Sequence, residues 1–273
     1  MEYASMTESI RRSEERFRGI ERKSATQWAT RPGERLIVRC DGVKLSRRYL
    51  KDSLSNPAFD DALLRSVTTV NVLFRNMVRP GTSRFFQRAL VISDEVSFVL
   101  GTGADAYDGR VLKIASMVGS SLSSAMTGFF EFPRHQMQLY EDPDARAQII
   151  NFDARPLIVR SNDEVRDYLR WRWCVGVRNH FTKSLRLRSE LSDREIYDSD
   201  LRTDVGLAWA ELSRRDLASA AQAQRIGHLS SINAKGWLEG RAFASEETRT
   251  VEVLMARPLD QFTRPHSAPA RRR

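Results

Sequence analysis

Val91-Ile-Ser-Asp-Glu-Val-Ser-Phe-Val-Leu100 decides the fold. Apolar residues run up to Ser93-Asp94-Glu95 and resume through Val96, Phe98, Val99 and Leu100. Such a run reads as a buried strand or as a tight hairpin of two strands. Two adjacent carboxylates in its middle are out of place, because a buried unpaired charge costs several kcal/mol, roughly, unless it is paired or bound to a metal. Upstream, Arg35-Leu-Ile-Val-Arg-Cys-Asp41-Gly42 repeats the pattern, a short apolar strand that ends on Asp and Gly. Taken singly, Asp-Glu in a hairpin and Asp-Gly after a strand are ordinary turn pairs. Taken together, two strands that each carry a carboxylate to one end of a sheet outline a divalent-metal site. Mg²⁺ takes carboxylate, carbonyl, water and phosphate oxygens, and two such ions hold both the attacking and the leaving oxygen of a phosphoryl transfer.

The chain has 273 residues, of which 44 are Lys or Arg and 35 are Asp or Glu. That length suits one elaborated domain, and the basic excess points to a polyanionic partner, nucleic acid ahead of a membrane surface. Two cysteines, Cys40 and Cys174, make no disulfide framework and favour a reducing cytosol. No apolar run approaches the roughly 18 residues of a membrane span, and no secretory signal is visible at the N-terminus.

Working outward, residues 6–23 read as a solvated helix with Ile10, Phe17 and Ile20 on one stripe. Pro32-Gly33 turns the chain into the first strand. Residues 43–55 are mixed and basic (Lys44, Arg47, Arg48, Lys51). Leu63, Leu64, Val67, Val70, Leu73, Phe74 and Met77 place an amphipathic helix over 60–78, which Pro80-Gly81 ends. The hairpin follows over 85–100, and Gly101, Gly103 and Gly109 mark a loop. Residues 110–126 form a helix with a small-residue face, 149–159 contain one more strand, and a helix opens at Asp163-Glu164 and runs to about Leu187 with a kink near Gly176. Short helices are expected over 192–204 and 213–224. Val251, Val253 and Leu254 read as a closing strand, and a disordered basic tail occupies 258–273. The order predicts an α+β fold: an antiparallel sheet with packed helices in one domain over 1–257, and a helical annex from about 161.

In this order the motifs resemble the tRNA(His) guanylyltransferase-like family, polymerases that add nucleotides in the 3′-to-5′ direction. The residues that carry the resemblance are Arg39-Cys-Asp41-Gly42, Ser93-Asp-Glu-Val-Ser-Phe98, Arg110-Val-Leu-Lys113, Phe152-Asp-Ala-Arg155 and Tyr168-Leu-Arg-Trp171-Arg172, with Asn179 downstream and Arg225-Ile-Gly227 as a late Arg-x-Gly. The resemblance spans roughly residues 20 to 230. It implies a palm-like catalytic domain with two Mg²⁺ ions on Asp41, the Gly42 carbonyl and Asp94, and Glu95 as a further catalytic carboxylate. Ser93 and the segment Asp41, Gly42, Val43, Lys44, Leu45, Ser46 would line GTP or ATP, and Arg110 and Lys113 would touch phosphate. Asp60 falls near the family's Pro-x-Asp. Arg172, Arg178 and Asn179 would meet the RNA, in keeping with the Arg-rich helix around Arg166 and Arg170. A homotetramer acting on tRNA in the cytoplasm is also implied.

The sequence departs from the family's pattern in three places. Val43-Lys44-Leu45 replaces an Arg-x-Phe, Trp173 replaces a Gln, and Val177 stands where the eukaryotic members have a histidine that engages tRNA(His). Arg178-Asn179 is closer to the bacterial and archaeal members, which repair 5′-truncated tRNAs. The alternatives are a palm-fold nucleotide-signalling enzyme, which would turn over triphosphate without RNA, and a basic RNA-binding protein without catalysis. The intact carboxylates favour the transferase.

Overall fold

The computed structural model describes residues 3–77, 86–100, 106–142, 144–217, 228–232 and 238–242. The two quoted strands are found as expected. β1 is Arg35–Gly42, and the hairpin is β2, Phe86–Ile92, and β3, Glu95–Leu100. β4 is Phe152–Val159, and an edge hairpin adds β5, His228–Ile232, and β6, Leu238–Ala242. The sheet order is β4-β1-β3-β2-β5-β6, with every pair antiparallel.

β1 and β3 lie at the centre of the sheet and are buried on both faces, so their side chains serve two cores by simple alternation. Leu36, Val38, Cys40, Val96 and Phe98 face α3 (Pro57–Met77) and α4 (Val111–Met126). Ile37, Val99, Leu90 and Leu157 face α1 (Tyr3–Ser24), α6 (Asn162–Arg188) and α8 (Val205–Arg214). The expected annex is therefore the second layer of the sandwich. A sheet with two apolar faces has to be covered twice, and α6 with α1 supplies the second cover.

α6 begins at Ser161, whose hydroxyl accepts from the Glu164 N–H at 3.1 Å. Asp163 and Glu164 in its first turn and Arg186 and Arg188 in its last suit the helix dipole. The expected kink at Gly176 is not found: the helix runs uninterrupted through it, with Gly176 buried between Val175 and Val177.

Other expectations shift. α4 continues through a π turn, Thr127–Glu131, into α5, Phe132–Glu141, a helix the sequence reading missed. Pro133 follows the π turn directly, so the regular i→i−4 ladder is already disturbed where its N–H is missing and the helix continues past it. The segment expected to be a helix over 192–204 is α7, Asp193–Tyr197, followed by a 3₁₀ turn over Asp200–Arg202. The helix expected over 213–224 ends at Arg214, where Asp216 takes φ 55°, and residues 218–224 lie outside the described residues. So do the 251–254 strand, the 258–273 tail and Arg225-Ile-Gly227.

Candidate active site

The end of β1 brings the carboxylates together. Asp41 pairs in register with Glu95 on β3 and with Asp153 on β4, which sets the three side chains in a row on one face. Burial, with Glu95 and Asp94 beside it, holds the Asp41 carboxyl above the usual carboxylate range, against the pull of Arg39 and Arg172. Asp94 is reached from the other side. The Gly42 N–H donates to the Asp94 carbonyl at 3.0 Å, and the Asp94 carboxylate accepts from the Ser46 N–H at 2.9 Å and the Ser46 hydroxyl at 2.6 Å.

This closure needs a glycine. A Cβ on Gly42 would stand 2.6 Å from Leu45 Cδ1 and 3.1 Å from Asp94 Cβ. The turns on either side carry strain, with Ser93 at φ 54° and Lys44 at φ 61°. Lys44 is the N-cap of a short helix, α2, Leu45–Tyr49, which presents Ser46. At its other end Tyr49 Oη donates to Glu131 Oε2 at 2.7 Å, and Glu131, 1% exposed, also accepts from the Gln148 N–H. The π turn thus anchors the helix that holds Asp94.

A cleft of about 960 Å³ opens in front of Asp41, Gly42, Ser93 and Asp94. Its walls carry Lys44, Arg47, Lys51, Lys183, Arg186 and Arg202, and Asn179 and His180 also line it. Lys183 and Arg186 donate to the Leu50 and Lys51 carbonyls, tying α6 to the chain after α2. Burial pushes the Lys183 ammonium down, and Arg186 adds to this, opposed by Asp94 and Asp52. A second cleft, about 900 Å³, opens on the α1 side. Asp41, Glu95, Arg172, Val175 and Arg178 line both.

The donor set decides whether a divalent ion fits. Among the described residues no group of three or more His, Cys, Asp or Glu side chains is arranged to hold one. The donors here are two carboxylates, Asp41 and Asp94, and the Gly42 carbonyl, all oxygen. Mg²⁺ is commonly held by one or two carboxylates, with water and substrate phosphate filling the remaining positions. Burial first, and the neighbouring Glu95 and Asp94 carboxylates second, raise the Asp41 carboxyl, and a cation bound beside it would favour its charged form. The set fits Mg²⁺.

The other predicted residues divide. Ser46 and Lys44 line the first cleft, as does Asp60, whose carboxyl burial pushes up. Leu45 is buried in the core, and Val43 is 48% exposed with its N–H on the Asn151 carbonyl. Arg178 lines both clefts, beside Asn179. Arg172, expected on the RNA side, is largely buried and has closed its guanidinium fork on Glu95.

Arg110 and Lys113 are not brought to the carboxylates. Ser123 near the far end of α4 accepts from the Phe152 N–H, and Phe152 pairs with Gly42. Arg110 is therefore roughly 20 Å away along the helix axis. There its guanidinium donates to the Tyr107 carbonyl, and Lys113 sits over the Tyr107 ring at 4.7 Å. Sequence reasoning missed Lys183, Tyr49 and Glu131; their contacts reach across 133 and 82 residues, and no local spacing marks them.

The sequence matches the tRNA(His) guanylyltransferase (Thg1) family over residues 14–160, more than half of the chain. A bacterial tRNA(His) guanylyltransferase-like protein in complex with ATP has a similar structure, with TM-score 0.59 and 15% identity, covering 90% of this chain and 98% of that one. The same description in complex with GTP gives TM-score 0.54 and 14% identity, with coverage of 90% and 98%. The tRNA(His) guanylyltransferase of Saccharomyces cerevisiae gives TM-score 0.56 and 16% identity, over 85% of this chain and 98% of that one. At these identities the likeness is one of fold. No curated protein sequence matches the chain. Among the described residues no helix is long and apolar enough to cross a membrane.

Proposed function

The chain belongs to the tRNA(His) guanylyltransferase family, a family of nucleotidyltransferases, and on that premise we propose that it extends the 5′ end of a tRNA in the 3′-to-5′ direction with Mg²⁺ and GTP or ATP. The observation that carries the reading is the joint between Gly42 and Asp94. It holds Asp41, at the end of β1, and Asp94, in the turn between β2 and β3, at the mouth of a cation-walled cleft.

Asp41, Asp94 and the Gly42 carbonyl would hold the divalent ions, which lower the pKa of an attacking hydroxyl and neutralise phosphate charge when bound. The protein's own part is positioning. Ser46 fixes the Asp94 carboxylate through two hydrogen bonds. Arg172 fixes Glu95 beside Asp41. Lys44, Arg47 and Lys183 face the space where a triphosphate would lie and offset its charge. Ser93 lines the same mouth. We assign the reaction to the cytoplasm and to a homo-oligomer on the family resemblance.

The branch we favour is templated repair. Val177 is 2% exposed and packed in the α1–α6 core, so no polar side chain stands at that position. Incubation with labelled triphosphates, Mg²⁺ and a panel of 5′-shortened tRNAs tests the reading. Incorporation should follow the base opposite the missing 5′ position. Addition of one G opposite a non-complementary base, confined to tRNA(His), would place the chain in the other branch, and absence of any incorporation would remove the transferase reading.

A further inference from the structure

The second cleft is the feature that the carboxylate chemistry leaves unused. One wall is a single face of α1: Arg11, Glu14, Glu15, Arg18, Glu21 and Arg22 recur at helical spacing, about 100° around the helix from the stripe of Met6, Ile10 and Phe17 that packs into the core. Its floor is Arg39 and Arg155 on adjacent strands, and Arg178 on α6 faces it. Several charges are already satisfied. Arg18 pairs with Glu14, Arg39 with Glu21, Arg155 with Asp153 and Arg172 with Glu95.

Among the described residues, the charges of this cleft left without an ion pair are Arg11, Arg22 and Arg178 against Glu15 and Asp41, a balance that is still cationic. Arg11 and Arg22 are exposed and make no ion pair among the described residues, and the Arg39 Nε is buried without a hydrogen-bond acceptor. Among the described residues Arg178 donates to no carboxylate and reaches the Asn179 side-chain oxygen, at 3.3 Å from Nη2 and 3.4 Å from Nε. Arg11, Arg18 and Arg22 mark a line about 16 Å long on α1. Its cleft reaches Asp41 and Glu95 from the side away from α2.

We propose that this α1–β4–α6 cleft is the track for the phosphate backbone of the RNA, leading its 5′ end to Asp41 while the nucleotide occupies the cleft beside α2. The inference rests on the transferase reading for the second substrate, but its geometry is its own. A transfer between two phosphorylated substrates needs two approaches to one set of carboxylates, and the two clefts share only the residues around that set. Each guanidinium that neutralises a phosphate releases a counterion, so its removal flattens the salt dependence of binding.

The test uses the full chain, a 5′-phosphorylated RNA hairpin that lacks its first nucleotide, and ATP as a separate probe. Arg11→Ala and Arg22→Ala should each weaken the hairpin severalfold and lower the slope of log affinity against log salt by about 0.7. ATP affinity should stay at the wild-type value in both. Arg12→Ala, on the same helix but off the cleft, should change neither. If Arg11→Ala and Arg22→Ala keep the wild-type RNA affinity and slope, or if Arg12→Ala matches them, the track is wrong. Loss of ATP affinity instead would make the cleft a nucleotide site and overturn the proposal. Wild-type protein that binds the hairpin with these slopes but adds no nucleotide would sink the transferase reading and leave the track standing.

Discussion

Arg172 Nε donates to Glu95 Oε1 at 2.8 Å while its Nη2 takes the other carboxylate oxygen, so the carboxylate next to Asp41 is already held by a cation of the protein. Both groups are largely buried. Removing one partner strands the other, which typically costs about 3–5 kcal/mol. Arg172→Met should therefore lower the urea midpoint sharply, and Arg172→Lys, which keeps charge but not the fork, should fall between it and wild type. A melt unchanged in Arg172→Met would mean that the pair carries no weight.

Asp41→Asn and Asp94→Asn keep shape and remove charge. Each should cut nucleotide addition about a hundredfold or more at saturating Mg²⁺. The circular dichroism melt of Asp41→Asn should not fall, because Asp41 already resists ionisation in its half-buried row, whereas Asp94→Asn should melt somewhat earlier because it gives up a charged acceptor for Ser46. Near-normal addition by either variant refutes the assignment.

The link from Glu131 through Tyr49 to α2 can be cut by one atom. Tyr49→Phe leaves the buried Glu131 Oε2 without its donor, at a cost of about 1–3 kcal/mol. Because α2 also carries Ser46, the KM for the triphosphate should rise with the loss of stability. A variant that melts early but keeps the wild-type KM would show that the link is structural only.

His180 supplies a pH signature. Burial, with Arg188 and Lys183 nearby, pushes its imidazole down to about 4. The folded state thus prefers neutral His180, and the unfolded state takes a proton first as the pH falls. The contribution is complete above the ordinary value of about 6.5 and is lost between there and about 4, up to roughly 3 kcal/mol. Unfolding of His180→Asn measured at pH 7 and pH 4.5 should show a smaller loss than wild type over the same interval. Equal losses would assign the acid sensitivity elsewhere.

Much of this was legible in the sequence. Strand alternation in Leu36–Cys40 and Val96–Leu100, the Asp-Gly and Asp-Glu at their ends, and the helical period through Leu63, Val67, Val70 and Phe74 are local signals, and the structure keeps them, although Leu73 of the same stripe is exposed. α5 was hidden because Pro133 looks like a stop, whereas the chain stays helical through the π turn just before it. Arg172 read as a nucleic-acid cation because nothing near it announces a partner 77 residues away. Arg110 and Lys113 matched a motif, but a motif carries no information about which end of a helix meets the sheet end that matters. Their place beside Trp28 and Tyr107 follows from how α4 is laid, with the Val111 N–H on the Trp28 carbonyl.

The straightness of α6 has a mechanical consequence. Arg172, Val175 and Arg178 stand in the partition between two rooms, and the helix that carries them is unbroken for 27 residues. A rigid partition cannot lean into one room without enlarging the other. Whatever tightens α6 on one substrate therefore sets the room left for the second, and thermodynamic reciprocity requires each substrate to change the affinity of the other by the same factor.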